Sequence, residues 1–86
     1  MYSVSMEKSA EDFYRRAAPT LARKIARALK QLEVAPRRHP NIKHLQGSLA
    51  HLWRYRIGDY RIIYVIVEDD RAVVVTEIVH RRDAYE

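Results

Sequence analysis

Apolar residues in the first half of the chain recur at helical spacing. Four of them follow one another at intervals of four, four and three, which forms a single stripe: Leu21, Ile25, Leu29 and Leu32. Pro19 suits the first turn of a helix, and Pro36 stops one. The pattern therefore predicts a helix over residues 19–33 with one face turned toward a core.

A shorter helix is predicted just before it. Ser9 is a suitable N-cap, with Asp12 three residues further on, and the helix runs to about Arg16. Phe13 and Ala17 are four residues apart and lie on its inner side. Because so few residues separate the two helices, we expect a helical hairpin packed on a sheet.

Alternating apolar and polar residues predict strands in the remainder of the chain. A short strand is predicted over residues 2–6, and three more over residues 49–57, 60–67 and 71–80. Residues 36–47 contain two prolines and are predicted to be a loop, with Ile42 and Leu45 tucked inward. The order strand-helix-helix-strand-strand-strand predicts an α+β fold, in which the helical hairpin covers one face of a mostly antiparallel sheet.

Cationic side chains crowd the predicted hairpin around Gly58 and Asp59. These two residues tolerate the backbone angles of a two-residue turn. Arg54 and Arg56 share one face of the strand before the turn, and Arg61 opens the strand after it. If the strand faces coincide, the open face of the sheet carries Arg54, Arg56, Arg61 and Arg81. Such crowding of like charges favours an anionic ligand, although a structural network with Asp59, Glu68 and Glu77 is the alternative.

Composition limits the class of protein. The 86 residues suit a single domain over residues 1–86, with a net charge of +5 and a pI of about 9.8. Residues 1–41 hold nine Lys/Arg against four Asp/Glu, so the basic excess lies in the helical half. Such an excess suits nucleic acid or an acidic protein as partner, and a solvated helix face without a partner is the alternative. There is no cysteine, and the longest apolar run has six residues. We therefore expect a cytoplasmic protein without disulfides or a membrane span.

Several motifs together resemble the RelE/ParE toxin superfamily. They are Leu45-Gln46-Gly47, Arg54-Tyr55-Arg56, Gly58-Asp59-Tyr60-Arg61, and His80-Arg81 followed by Tyr85. Members of the superfamily carry a Leu-x-Gly, an Arg-x-Arg strand, a Gly-Asp-Tyr-Arg turn and a late His-Arg with a tyrosine behind it. The order of predicted elements matches as well, so the resemblance covers nearly the whole chain.

The resemblance implies a toxin of a type II toxin–antitoxin pair, with a cognate antitoxin protein as partner. The RelE-like branch, which we favour, cleaves messenger RNA in the ribosomal A site and so also meets ribosomal RNA. Cleavage there proceeds by attack of a 2′-hydroxyl on the adjacent phosphate, without metal or cofactor. The ParE-like branch inhibits DNA gyrase instead. A toxin-fold protein that only binds its antitoxin is a third alternative.

The resemblance also implies roles for individual residues. Arg54 and Arg56 match positions that are often lysine in RelE-like enzymes, one of them a base or charge stabiliser. Arg61 matches the arginine that stabilises the phosphate, Arg81 the one that assists the leaving group, and Tyr85 the tyrosine that stacks on a base. Arginine is a poor base because its guanidinium stays protonated, so the general base is left open.

Histidines are the remaining candidates for acid or base chemistry. His80 could act as acid or base because histidine is the residue type suited to proton transfer near neutral pH, but strand alternation points it away from Arg81 unless the strand has already ended. His39 and His44 have no carboxylate or third histidine near them in sequence, so a solvated loop position is expected for both rather than a metal site.

Overall fold

The computed structural model describes residues 1–84, which form two helices and five strands. In chain order these are β1 (Ser3–Met6), α1 (Lys8–Arg16), α2 (Pro19–Val34), β2 (Ile42–His44), β3 (Trp53–Ile57), β4 (Tyr60–Val67) and β5 (Ala72–His80). Short 3-10 turns occupy Gly47–Leu49, Glu68–Asp70 and Arg81–Asp83. No helix among the described residues is long and apolar enough to cross a membrane.

The strands form one sheet in the order β1-β5-β4-β3-β2. Strands β2 to β5 are antiparallel to their neighbours, whereas β1 lies parallel to β5 with Ser3 opposite Ala72. Both helices contribute buried residues to the cluster on one face of this sheet. The predicted α+β class and mostly antiparallel sheet are therefore confirmed.

The main core lies between α2 and the central strands. The most completely buried side chains come from both layers and are Ile25, Leu32, Ile62, Tyr64, Val73 and Val75. Full burial of an aliphatic side chain of this size stabilises the folded state by about 1.5–3 kcal/mol. The apolar stripe of the second predicted helix is thus the surface that fixes α2 on the sheet.

A second, smaller cluster lies on the opposite face of the sheet. Leu45, Leu52 and Ile63 are buried there, with Leu49 packed against them. The connection between β2 and β3 supplies three of these four residues, so it folds over the end of the face that the helices leave uncovered. That face is consequently only partly open.

The prediction of a continuous loop over residues 36–47 is wrong, because β2 lies within it. Ile42 pairs with Tyr55 and His44 with Trp53 across an antiparallel ladder. A three-residue strand contains too little alternation to be visible in the sequence, and pairing with β3 decides its conformation. The inward positions of Ile42 and Leu45 are confirmed.

Four predicted element starts also differ from the structure, and the first is that of β1, which begins at Ser3 rather than at residue 2. Helix α1 begins at Lys8, so Ser9 lies inside it, and Glu7 at the cap position makes no side-chain capping bond. Strand β3 begins at Trp53 rather than at residue 49, because Gly47–Leu49 forms a 3-10 turn. Strand β5 begins at Ala72, since Arg71 adopts a left-handed conformation with φ of 46°.

The turn between β3 and β4 contains two residues, as the sequence predicts. Ile57 pairs with Tyr60, leaving Gly58 and Asp59 as the connection. Gly58 has a φ of +64°, whereas Asp59 is not among the positive-φ residues of the described chain. A positive φ at the first turn position alone is the type II′ arrangement, which glycine adopts without steric cost.

A buried hydroxyl ties the end of the helical layer to the sheet. The hydroxyl of Tyr64 donates to the carbonyl oxygen of Pro36 at 2.7 Å. Burial raises the pKa of Tyr64 well above its ordinary value, so this hydroxyl keeps its proton and remains a donor.

We expect Tyr64→Phe to lower the free energy of unfolding by about 1–2 kcal/mol, because the Pro36 carbonyl loses its buried donor. Urea denaturation measures the change. Tyr14→Phe is the matched control: Tyr14 packs against the same core, and its hydroxyl makes no hydrogen bond within residues 1–84. Equal destabilisation by both substitutions would show that the Tyr64–Pro36 bond contributes nothing specific.

Candidate functional site

Four cationic residues share the sheet face that lies opposite the helices. Arg56 pairs directly with Arg61, and Lys43 pairs with Arg54, which is two residues from Arg56. Directly opposed residues have Cβ atoms about 4.5–5.5 Å apart, so their side chains can meet one ligand. We call Lys43, Arg54, Arg56 and Arg61 the basic face. The predicted registration is confirmed for Arg54, Arg56 and Arg61, whereas Arg81 lies outside the ladder because β5 ends at His80.

Arg54 and Arg56 are oriented by the same residue of the preceding loop. The Nη1 atom of Arg54 donates to the carbonyl oxygen of Asn41 at 2.9 Å. The Nη2 atom of Arg56 lies 3.4 Å from the side-chain oxygen of Asn41, at the long end of the hydrogen-bond range. Arg56 is exposed and Arg54 is half-buried. Arg56 is therefore the arginine of this pair that is better placed to receive an anion from solvent.

Arg61 occupies a different environment, because its side chain is only 8% exposed. Its Nη1 atom donates to the carbonyl oxygens of Gly58 and Tyr60, both at 3.1 Å. The guanidinium thus holds the β3–β4 turn as well as adding positive charge beneath the basic face. A charge buried in this way acts on a ligand at longer range than the exposed group of Arg56 does.

Arg81 lies at the same turn, immediately after β5. Its backbone N–H donates to the carbonyl oxygen of Asp59 at 2.7 Å, which closes the end of the sheet. The Nε atom lies 3.9 Å from Oδ1 of Asp59, and the two side chains are 63% and 68% exposed. An ion pair this long and exposed is weak, so the Arg81 side chain can exchange Asp59 for a more strongly charged anion.

His80 lies on the helix side of the sheet, away from the basic face. It pairs with Tyr60, and the two rings meet edge to face with centroids 5.4 Å apart. The Nδ1 atom of His80 accepts a hydrogen bond from the backbone N–H of Arg82 at 3.2 Å. One ring nitrogen therefore supports the turn after β5, a structural role that leaves only Nε2 for proton exchange.

Lys43 was not a candidate from the sequence, because it falls within the predicted loop. Strand β2 places it opposite Arg54, and its side chain is exposed. None of the ion pairs described for residues 1–84 involves Lys43. Unlike a guanidinium, an amine can give up its proton, so Lys43 adds to the basic face a group that can accept one. The sequence signal that could have placed Lys43 on a strand is the apolar–polar alternation over Ile42–His44, which spans only three residues.

The remaining residues considered from the sequence are Tyr85 and the histidines His39 and His44. Tyr85 lies outside the described residues, and its predicted stacking role stays a prediction. Within residues 1–84 there is no group of three His, Asp or Glu side chains arranged to hold a metal ion. His39 and His44 instead contact aromatic rings, Tyr55 at 5.0 Å and Trp53 at 4.2 Å between centroids.

A groove follows the helix side of the β3–β4 turn. Its larger part has a volume of about 580 Å³ and lies between the two helices and Tyr60, with Phe13 and Leu21 in its wall. A neighbouring part of about 260 Å³ is lined by Lys24, Arg27 and Arg56. The wall of the larger part mixes apolar and charged side chains, since Asp12 and Arg16 also line it, whereas the neighbouring part is basic and shares Arg56 with the basic face.

Comparison with known proteins gives consistent matches over this chain. Residues 2–85 match the sequence model of the family described as ParE toxin of type II toxin-antitoxin system, parDE. The "Putative toxin RelE1" of Methanocaldococcus jannaschii is 40% identical over 50 residues, which is 58% of this chain and 54% of that protein. The chain thus spans about half the length of the curated relative it matches.

Solved structures show the same fold. The RelE–RelB complex from Pyrococcus horikoshii OT3 superimposes with a TM-score of 0.82 at 24% identity, covering 96% of this chain and 98% of that one. The toxin–antitoxin complex RelBE2 from Mycobacterium tuberculosis gives a TM-score of 0.79 at 29% identity, covering 95% and 93% of the two chains.

We expect Arg61→Ala to lower the free energy of unfolding by about 2 kcal/mol, because two turn carbonyls lose a charged donor. Arg56→Ala is the matched control, since it removes an exposed arginine from the directly opposed position and should change stability by less than about 0.5 kcal/mol. Chemical denaturation of both variants checks this. A fully stable Arg61→Ala protein would mean that Arg61 does not hold the turn.

Proposed function

Because the chain belongs to the ParE toxin family of type II toxin–antitoxin systems, within the RelE/ParE superfamily, we propose which activity its site carries out. The proposed activity is endonucleolytic cleavage of messenger RNA in the ribosomal A site, in the cytoplasm. The single observation that supports it is the basic face, where cross-strand pairing gathers Lys43, Arg54, Arg56 and Arg61.

Cleavage by a 2′-hydroxyl makes three demands on such a site. A base removes the proton of the hydroxyl, positive charge stabilises the pentavalent phosphorane, and an acid or cation assists the departing 5′-oxygen. The oxygen–phosphorus bond that forms gives a 2′,3′-cyclic phosphate, and the bond that breaks releases a 5′-hydroxyl. Every atom comes from the RNA, so the protein has only to move protons and stabilise charge.

The arginines are suited to the second and third demands. Arg56 is exposed and able to bind a phosphate through two parallel N–H groups. Arg54 and the buried Arg61 add charge behind it, and Arg81 lies at the turn beside Arg61, where it is proposed to contact the leaving oxygen. Arrangement of fixed cations around a developing negative charge is commonly worth a factor of about 100–1,000 in rate for each group.

We assign the first demand to Lys43. Both positions that are often lysine in RelE-like enzymes are arginine here, Arg54 and Arg56, so neither is a suitable base. Lys43 lies directly opposite Arg54 and can function as a neutral amine. His80, on the other side of the sheet, is a less suitable choice.

The antitoxin is proposed to occupy the groove on the helix side. Several solved structures with this fold are complexes of RelE with RelB. A groove with Phe13 and Leu21 at one end and Lys24 and Arg27 at the other suits an amphipathic segment that carries acidic residues. Because Arg56 lines the basic end, a segment bound there would also neutralise part of the basic face.

Gyrase inhibition is the second candidate function, and the match to the ParE family model favours it. That activity needs a binding surface and no proton transfer, which the arginine-rich site also satisfies. A toxin-fold protein that only binds its antitoxin is the third. The first two differ in what happens to messenger RNA and to DNA, so one cellular experiment separates them.

Brief expression of the chain in a bacterial host should produce new 5′ ends within the codons of translated messages, detected by 5′-end mapping. Arg81→Ala should relieve growth arrest and reduce cutting about 100-fold, because one cation at the leaving group is lost. The exposed position of Arg81 predicts an intact fold, checked by circular dichroism. Intact messages together with DNA damage and filamentation would favour gyrase inhibition and exclude the nuclease.

Lys43→Arg should reduce cleavage about 100-fold or more, because the charge is kept and the ability to take up a proton is lost. Lys30→Arg, on the outer side of α2, is the matched control and should cleave normally. Cleavage rates on programmed ribosomes measure both. If Lys43→Arg cleaves at the rate of the unmodified protein across the pH range, the base is another group.

A further inference from the structure

The end of the β2–β3 hairpin carries a pair of stacked rings. His44 and Trp53 are directly opposed in the ladder, and their rings lie 4.2 Å apart between centroids with an angle of 4° between the planes. Trp53 is half-buried, whereas His44 is exposed. The imidazole therefore forms the outer layer of the stack.

The imidazole of His44 is held in this orientation by a second contact. Its Nε2 atom lies 2.6 Å from the carbonyl oxygen of Ala50. A carbonyl oxygen can only accept, so Nε2 carries the proton and donates it. One face of the His44 ring packs on Trp53 and its Nε2 edge contacts Ala50. The other face and the Nδ1 edge of the ring are the parts left open to solvent. A flat ring fixed in advance loses little conformational freedom when another ring stacks on it.

The surroundings of the stack are basic. Lys43 is the neighbour of His44 in β2 and belongs to the basic face, and Arg54 is the neighbour of Trp53 in β3. The guanidinium carbon of Arg37 lies 5.8 Å from the Trp53 ring centroid. The Nη2 atom of Arg37 forms an ion pair with Glu68 at 3.1 Å, which holds its guanidinium beside the Trp53 ring.

Distance along the strand connects the stack to the basic face. Consecutive residues of a strand are about 3.4 Å apart and point to opposite faces. Strand β2 lies at the edge of the sheet. A nucleic-acid backbone that lies across Lys43 can therefore pass around this edge and place its next base against the ring of His44. Proteins that bind single-stranded nucleic acid combine a basic track with aromatic platforms in this manner.

We infer that the outer face of His44, backed by Trp53, is a stacking platform for an unpaired base of RNA whose backbone lies on the basic face. The inference rests on the proposed function, because it assigns a second contact to the same RNA strand. It is a different contact from the stacking role predicted for Tyr85, since it uses the rings of His44 and Trp53 in the β2–β3 hairpin.

The chain's single tryptophan is Trp53, so its fluorescence reports directly on the platform. A short 2′-O-methyl oligoadenylate is the probe, because it lacks the 2′-hydroxyl and cannot be cleaved. With the purified full chain, we expect saturable quenching of Trp53 emission. Anisotropy of a labelled probe should show that His44→Ala raises the Kd about fivefold or more, the loss expected for one stacked base.

Three controls separate stacking from charge and from folding. His44→Phe keeps a flat ring and should bind within about twofold of the unmodified protein, since stacking tolerates any aromatic face. His51→Ala, at an exposed histidine outside the stack, should have no effect. An abasic oligonucleotide of equal length should bind no better to the unmodified protein than to His44→Ala.

Salt dependence provides a readout that a merely structural role would not change. Lys43→Ala should reduce the slope of log affinity against log salt by about 0.7, while His44→Ala leaves that slope unchanged. Equal affinity of folded His44→Ala and unmodified protein for the probe would overturn the inference. Probe binding that depends on His44, without cleavage of messages in cells, would uphold it and reject the nuclease instead.

Discussion

The register between β3 and β4 joins the core of this protein to its candidate site. Ile57 pairs with Tyr60 across the two-residue turn, and every later pair in the hairpin follows from that one. Side chains alternate between faces with a period of two, so a slip by one residue would exchange the two sets. The apolar side chains of β3 and β4 pack against α2. A shift of the register by one residue would expose them to solvent, so their burial fixes the register. The same constraint therefore keeps the arginines on the side away from the helices.

Crowded cations are a cost to the folded state, and the structure offsets part of it locally. Arg61 donates to two carbonyl oxygens of the turn, and Arg54 donates to the carbonyl of Asn41. Oriented backbone dipoles of this kind stabilise a guanidinium without neutralising its charge. Of the three arginines, Arg56 is the one whose guanidinium is exposed to solvent and to an anion.

The edge strand β2 changes the chemistry that the site can perform. Without it, the arginines form a cationic surface that offers no proton acceptor. With it, Lys43 joins the arginines on one face, and His44 meets Trp53 on the other. The family membership rests on residues 2–85, while the proposal of RNA cleavage rests on the amine that this short strand adds.

Local patterns in the sequence determined a large part of the fold. The stripe on α2, the Gly58–Asp59 turn and the shared face of Arg54 and Arg56 all follow from periods of 3.6 or two residues within one element. Tertiary pairing alone decided the rest: strand β2, the burial of Arg61 and the stack of His44 on Trp53. These features join residues that are distant in sequence or lie in segments too short to show a period. Their conformation is therefore set by the partner strand, which no local pattern encodes.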